Sequence, residues 1–258
     1  MKRLVVTADD FGLCPGVVEG IVEAHQRGIV TSTSVMVNAP ASEAAFEEAR
    51  RLPALASGLH FNLTFGSPVG ESRPIAPLLD ESGRFHRKGS GAHERARPGQ
   101  VREELRSQLR IFESQVGRSP THIDGHHHVH LHPGIFRVVV EEAGRLGIPV
   151  RSTDDDVRMR LRLEGIRTCD HFIDQFYGGG DRDRVREEAL LNLLASLPDG
   201  TSELMCHPSR EDPSLGDWSG YVAPRYVELQ TLTAPRVREA LARLEIELVS
   251  MATVEFSR

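Results

Sequence analysis

Three cysteines, Cys14, Cys169 and Cys206, are all that 258 residues carry, and none forms a CxxC pair. An odd number without close spacing excludes a disulfide framework and a thiolate metal site, and fits a reducing cytoplasmic setting. Basic charge is not in excess. The formal net charge is -6, and arginines alternate with acids, as in Arg102-Glu103-Glu104-Leu105-Arg106. Such stretches read as solvated helix faces, which argues against a nucleic-acid partner. No apolar run approaches the roughly eighteen residues of a membrane span. The run Leu4-Val5-Val6 is too short for a signal segment and soon meets Asp9-Asp10, so a cytoplasmic location is expected. No GxGxxG follows the first strand pattern and no GxSxG occurs. The dinucleotide-binding fingerprint and the serine nucleophile elbow are therefore both missing.

What is present is enough for one large core: 39% hydrophobic and 26% charged residues. Short β-rich runs alternate with helical patterns along the whole chain. Strands are predicted at Arg3–Ala8, Thr31–Val37, Ser57–Leu63, the stretch around Ile123, Ile148–Arg151, His171–Phe176, Ser202–His207 and Glu247–Met251. Helices are predicted at Pro15–Gln26, Ser42–Arg51 (with Ser42 as cap), Gln100–Val116, Pro133–Leu146, Arg182–Leu197 and Pro235–Arg243. Residues 154–168 give no clear pattern. Alternation without a linker or internal repeat means parallel β/α winding. The expected fold is a single α/β domain over residues 1–258, a TIM-like (β/α) barrel of about seven strands. Two stretches, 64–99 and 209–224, break the rhythm. Irregular segments of that length are usually functional or mobile, and both are expected to cover a substrate.

Six of the 12 histidines fall between Thr121 and Pro133, in Thr-His-Ile-Asp-Gly-His-His-His-Val-His-Leu-His-Pro. Imidazole is the commonest protein metal ligand. A solvated loop or a tag is the bland alternative, but a tag sits at a terminus and this run is mid-chain between a strand and a helix pattern. Read as a strand, it puts His122, Asp124, His126 and His128 on one face. Asp9-Asp10, Asn38, His60, Asp124 with His126, Arg151 and His207 all stand at or just beyond predicted strand ends. In a parallel barrel those ends converge on the face that carries the site. Adjacent aspartates on an extended segment point apart, so one can hold a metal while the other serves as base towards activated water. A carboxylate with two imidazoles and open positions is how hydrolytic metal centres are built. The spare aspartate takes a proton, and a histidine opposite returns one to the leaving group, which suits hydrolysis of an amide or ester.

The blocks Thr7-Ala8-Asp9-Asp10-Phe11-Gly12, Gly58-Leu59-His60-Phe61, Thr121 to His130 and Met205-Cys206-His207-Pro208 resemble the YdjC-like carbohydrate deacetylases. The resemblance runs from Met1 to about Met251 with the blocks in the same order. It implies a (β/α)-barrel deacetylase that removes acetyl groups from N-acetylated sugars, such as chito-oligosaccharides, with one divalent metal, magnesium. Carried over, the ligands are Asp10, His60 and His126, with Asp9 the base and His207 the acid. The ligand set itself suits zinc or another transition ion as well, since magnesium prefers oxygen. Whether His126 or His128 completes the shell stays open.

A sugar substrate calls for polar donors and an aromatic platform. Asn38 and Arg151 at the rim, and Trp218 and Tyr221 in the second irregular stretch, are the candidates; Phe65, Phe85 and Tyr226 lie nearby in sequence. Two other readings compete: a metal phosphoesterase, for which Gly178-Gly179-Gly180 is a weak phosphate cradle, and a non-catalytic sugar- or metal-binding barrel. The spare Asp9 speaks against the last. The barrel class also leads to the expectation of a homodimer.

Overall fold

A strand that is apolar at successive positions needs cover on both faces, and Leu4 to Phe11 is buried throughout. A computed structural model describes residues 1–70, 76–92, 96–179, 181–254 and 256. In it this strand, β1 (Lys2–Phe11), is the centre of a seven-stranded sheet in which every pairing is parallel. On one side lie β2 (Ser32–Val35), β3 (Ala56–Phe61) and β4 (Ile123–Gly125). On the other lie β6 (Gly200–Cys206) and, outside it, β5 (His171–Ile173). The last strand, β7 (Ile246–Leu248), pairs with the first residues of β1.

Among the described residues nine α-helices connect and cover these strands: α1 (Pro15–Arg27), α2 (Ser42–Arg51), α3 (Pro98–Val116), α4 (Pro133–Leu146), α5 (Asp155–Leu163), α6 (Glu187–Ala195), α7 (Leu215–Trp218), α8 (Ala223–Leu232) and α9 (Pro235–Arg243). Five of them, α1, α3, α4, α8 and α9, carry proline in the first turn. There its fixed φ suits the helix and its missing N–H costs nothing. Helices α3 and α4 stop at Gly117 and Gly147, both left-handed, as helix ends favour. No helix among the described residues is long and apolar enough to cross a membrane.

The structure revises several expectations. The sheet is parallel and barrel-like, but its ladder is not a closed ring. Ile148–Arg151 is not a strand: only Val150 bridges Ile123, and among the described residues no bridge joins that edge to β5. Single bonds span the gap instead: Val150 N donates to Arg167 O at 3.0 Å and Thr168 Oγ1 to Ser152 Oγ at 3.0 Å. The helix expected over Arg182–Leu197 is a 3-10 turn, Arg182–Val185, and then α6, because Arg186 between them is extended. Ser42 does not cap α2; Ala41 holds that position without a side-chain bond.

Three helices went unread: α5, α8 and the one-turn α7, which lies inside the second irregular stretch. Only Leu161 of α5 is buried, so no apolar stripe marks it, although Asp154 caps it through Val157 N at 2.8 Å. Helix α8 overlaps the end of the stretch taken as irregular. Its buried side includes Arg225 and Glu228, which an apolar pattern passes over. Residues 71–75 and 93–95 of the 64–99 stretch, and Gly180 of the triple glycine, lie outside the described residues.

Candidate active site

Register places the chemistry. Ala8 pairs with Cys206, so the residues that follow, Asp9 and His207, emerge side by side, and His60 pairs directly with Asp124. Against β2, Ala8 pairs with Thr33 but Phe11 with Val35, so β1 carries an extra residue there. Asp10 takes up the bulge with φ 66°, a left-handed conformation that aspartate tolerates better than most side chains. The consequence overturns a simple strand reading: Asp9 and Asp10, though adjacent, both line the same cavity.

The histidine run is likewise not one strand. It leaves the sheet at Gly125, and His127 and His128 are left-handed, at φ 55° and 58°. A Cβ on Gly125 would stand 2.9 Å from His130 Nδ1 and 3.0 Å from its backbone nitrogen, so only glycine allows the chain to fold back. This turn separates the two candidates. His126 Nδ1 lies 2.9 Å from Asp10 Oδ1, and His60 Nε2 lies 3.3 Å from the same oxygen. His128 lines the cavity but stands apart from that group. His127 bonds Thr64 Oγ1 at 3.0 Å. His122 is fully buried between Ser34 and Thr121.

Ligand atoms of Asp10, His60 and His126 lie within 4.8 Å of one another, and so do those of Asp9, His60 and Asp124. The first group faces the cavity. The second is turned inward, where its free valences are already used. His60 Nδ1 donates to Asp124 Oδ1 at 2.8 Å, and Ser34 Oγ donates to Asp124 Oδ2 at 2.5 Å. Arg151 takes both oxygens of Asp9, at 2.7 and 2.8 Å, and also reaches Asp124 at 2.8 Å and Glu203 at 2.9 Å. Nδ1 bonded to a buried carboxylate leaves Nε2 of His60 to face Asp10. That is how metal-binding imidazoles are oriented.

The electrostatics around the cavity floor favour a cation. Five buried carboxyls (Asp9, Asp10, Asp124, Glu203 and Glu228) share two buried guanidiniums, Arg151 and Arg225. Burial opposes charge on His60, but Asp124, with Asp10 next, overrides it and pushes the imidazole up to about 10. Burial likewise opposes charge on Asp10, yet Arg225, His126 and His60 hold its carboxyl well below the usual range. Glu203, buried against Arg151, is nonetheless raised.

On the same cavity stands His207, 9% exposed, with no partner for its Nδ1 among the described residues. Burial, with Arg225 next, lowers it to about 4. Glu228 accepts from its backbone N–H and from the Tyr221 hydroxyl, the latter at 2.5 Å. Tyr221 in turn accepts from Gly178 N at 2.8 Å. One helix turn before Glu228, Arg225 donates to Asp10 Oδ2 at 2.5 Å and to Tyr221 O at 2.8 Å. Its Nη1 has no acceptor among the described residues.

Of the residues expected to meet substrate, Tyr221 lines the cavity and Trp218, 37% exposed, packs edge-on to Phe65. Arg151 does not meet it. It is 1% exposed and its donors are spent on three carboxylates, so it positions Asp9 and Asp124 instead. Asn38 is also occupied, donating to Ser67 O at 2.8 Å and accepting from Asn62 Nδ2 at 3.0 Å, which ties down the chain after β3. Phe85 is buried. Sequence reading missed Glu203, Arg225, Glu228 and Tyr177. The only signals were an acid inside an apolar strand and a charged pair three apart on one helix.

The profile of YdjC-like proteins matches residues 3–243. A carbohydrate deacetylase of Geobacillus stearothermophilus is 40% identical over 250 residues, 96% of each chain. A chitooligosaccharide deacetylase of Serratia marcescens is 38% identical over 93% of this chain and 94% of its own. A crystal structure from Enterococcus faecalis V583, provisionally named for cellobiose-phosphate cleavage, superposes with a TM-score of 0.88. It is 34% identical and covers 97% of both chains.

Proposed function

Because the chain belongs to the YdjC-like family, we propose that it is a metal-dependent deacetylase of N-acetylated sugars. The observation that carries this reading is the open cluster of Asp10, His60 and His126, with Asp9 and His207, on one cavity of about 330 Å³. That volume is at the small end of ligand sites. Asp10, His60 and His126 would hold one divalent ion, which when bound polarises the acyl oxygen and acidifies water. Two imidazoles and one carboxylate, the latter already half-neutralised by Arg225, fit zinc or cobalt ahead of magnesium.

The protein's own groups then divide the work. Asp9, kept in place by the Arg151 fork, takes a proton from the attacking water. As water adds, the carbonyl electron pair moves to the acyl oxygen. Charge gathering there raises the proton affinity of His207, which burial and Arg225 hold low at rest. His207, having taken up a proton from solvent through the cavity it lines, passes that proton to the sugar nitrogen as the C–N bond breaks. This leaves acetate and a free amine, and Asp9 returns its proton to solvent. The two irregular stretches supply the walls: Lys88 from the first, Ser219 and Tyr221 from the second. This supports their role as substrate-covering loops.

Acetate release from the dimer and trimer of N-acetylglucosamine tests the reading, using chelated protein and add-back of zinc, cobalt or magnesium. Activity is expected only with metal, and best with a transition ion. His60→Ala should lose both bound metal and turnover. Hydrolysis untouched by chelation, or a His60→Ala variant with full metal content, would overturn it.

A further inference from the structure

The turn that follows β5 brings Asp174, Gln175 and Tyr177 into the cavity, and Tyr177 N closes it on Asp174 O at 2.8 Å. Tyr177 is 39% exposed although it lines the site. One side of its ring is taken by Tyr221, stacked at 4.5 Å and 26°. Its ring centre lies 5.5 Å from that of His207, the planes 61° apart. Nothing proposed above uses it.

The proposed reaction fixes where the sugar lies. The leaving nitrogen belongs to the sugar, so the ring that carries it must be beside the group that protonates it. That group is His207, and the aromatic surface next to it is Tyr177. Trp218 is on the other side, against Phe65, whose ring meets His126 at 6.1 Å. It therefore flanks the cation cluster rather than the leaving nitrogen. A pyranose binds through an apolar face on an aromatic ring and through planar polar groups at its hydroxyls. Tyr177 supplies the first, and the carboxylate of Asp174 and amide of Gln175 supply the second, all within one turn.

Resting on the deacetylase reading, we infer that the Asp174–Tyr177 turn holds the sugar ring that bears the leaving nitrogen, with Tyr177 as its stacking face. Three readouts test this on Tyr177→Ala and Tyr177→Phe in the metal-loaded full chain: KM and kcat on the N-acetylglucosamine dimer, turnover of 4-nitrophenyl acetate, which has no sugar, and calorimetric affinity for the dimer. Tyr177→Ala should raise KM and weaken dimer binding about tenfold, the scale of one good aromatic contact. Its kcat and its rate on the aryl acetate should stay near wild type, and Tyr177→Phe should keep dimer binding. Unchanged dimer binding in Tyr177→Ala would overturn the inference. So would equal losses on both substrates, since that is the mark of a ring that merely supports His207. A wild type that binds the dimer through Tyr177 yet releases no acetate would sink the deacetylase reading alone. Acetate release with binding indifferent to Tyr177 would sink the turn's role alone.

Discussion

Two groups of potential ligands share His60, and by distance they are equals. What separates them is what else each atom already does. Around Asp9 and Asp124 every strong acceptor is met by Arg151, Ser34 or His60, and the group is closed against solvent except where Asp9 meets the cavity. Around Asp10 and His126 the partners leave room on the cavity side. Proximity alone therefore does not define a metal centre. An open side does, and the sealed group serves the open one by fixing ring and carboxylate orientation.

The sharpest way to break this contrast is to remove one member of the open group. His126→Ala should release bound metal, measured by plasma emission, and cut turnover more than about a thousandfold if the ion activates water, while the fold persists. Retained metal would hand the role to the inner group. Next comes Asp9→Asn, which should keep metal and lose about 10² to 10⁴ in kcat, the scale of a general base. Full turnover would remove Asp9 from the chemistry.

Within the sealed group the expected effect is on stability. Arg151→Met leaves three buried acids without their cation, a loss of about 3–5 kcal/mol and on the order of ten degrees in Tm. A Tm within a degree or two of wild type would show that the sealed group is not what it looks to be.

The smallest effect concerns Glu228. Burial, against the bonds from His207 and Tyr221, raises it to about 7 from an ordinary 4.5. A carboxyl raised on folding stabilises the protein fully below 4.5, and that contribution is lost as pH climbs to 7. Glu228→Gln should therefore flatten the Tm profile between pH 4.5 and 7, gaining a few degrees on wild type at pH 8 relative to pH 5. Parallel profiles for the two proteins would refute the assignment.

How far the sequence could be read depended on the kind of signal. Asp10, His60, His126 and His207 were visible because strand ends in parallel winding converge, and strand ends can be counted along the chain. Helices beginning at Pro15, Pro133 and Pro235 were visible because proline in a first turn is a local statement. Arg151 was placed at the right rim but given the wrong task, since position along the chain does not say whether a side chain turns to solvent or inward. Helix α8 hid because its buried side holds Arg225 and Glu228, and apolar periodicity cannot see a helix whose inward face is charged.

The linear chain by itself determined the parallel winding, the rim where acids and imidazoles gather, and the family. These follow from local patterns repeated along it. Folding alone decided that two neighbouring aspartates share a cavity, that His126 rather than His128 meets them, and that Arg151 is an internal clamp. Each turns on a single bulge, a pair of left-handed residues, or the competition of buried donors for acceptors. Such outcomes depend on atoms brought together from far apart, and no window of sequence contains them.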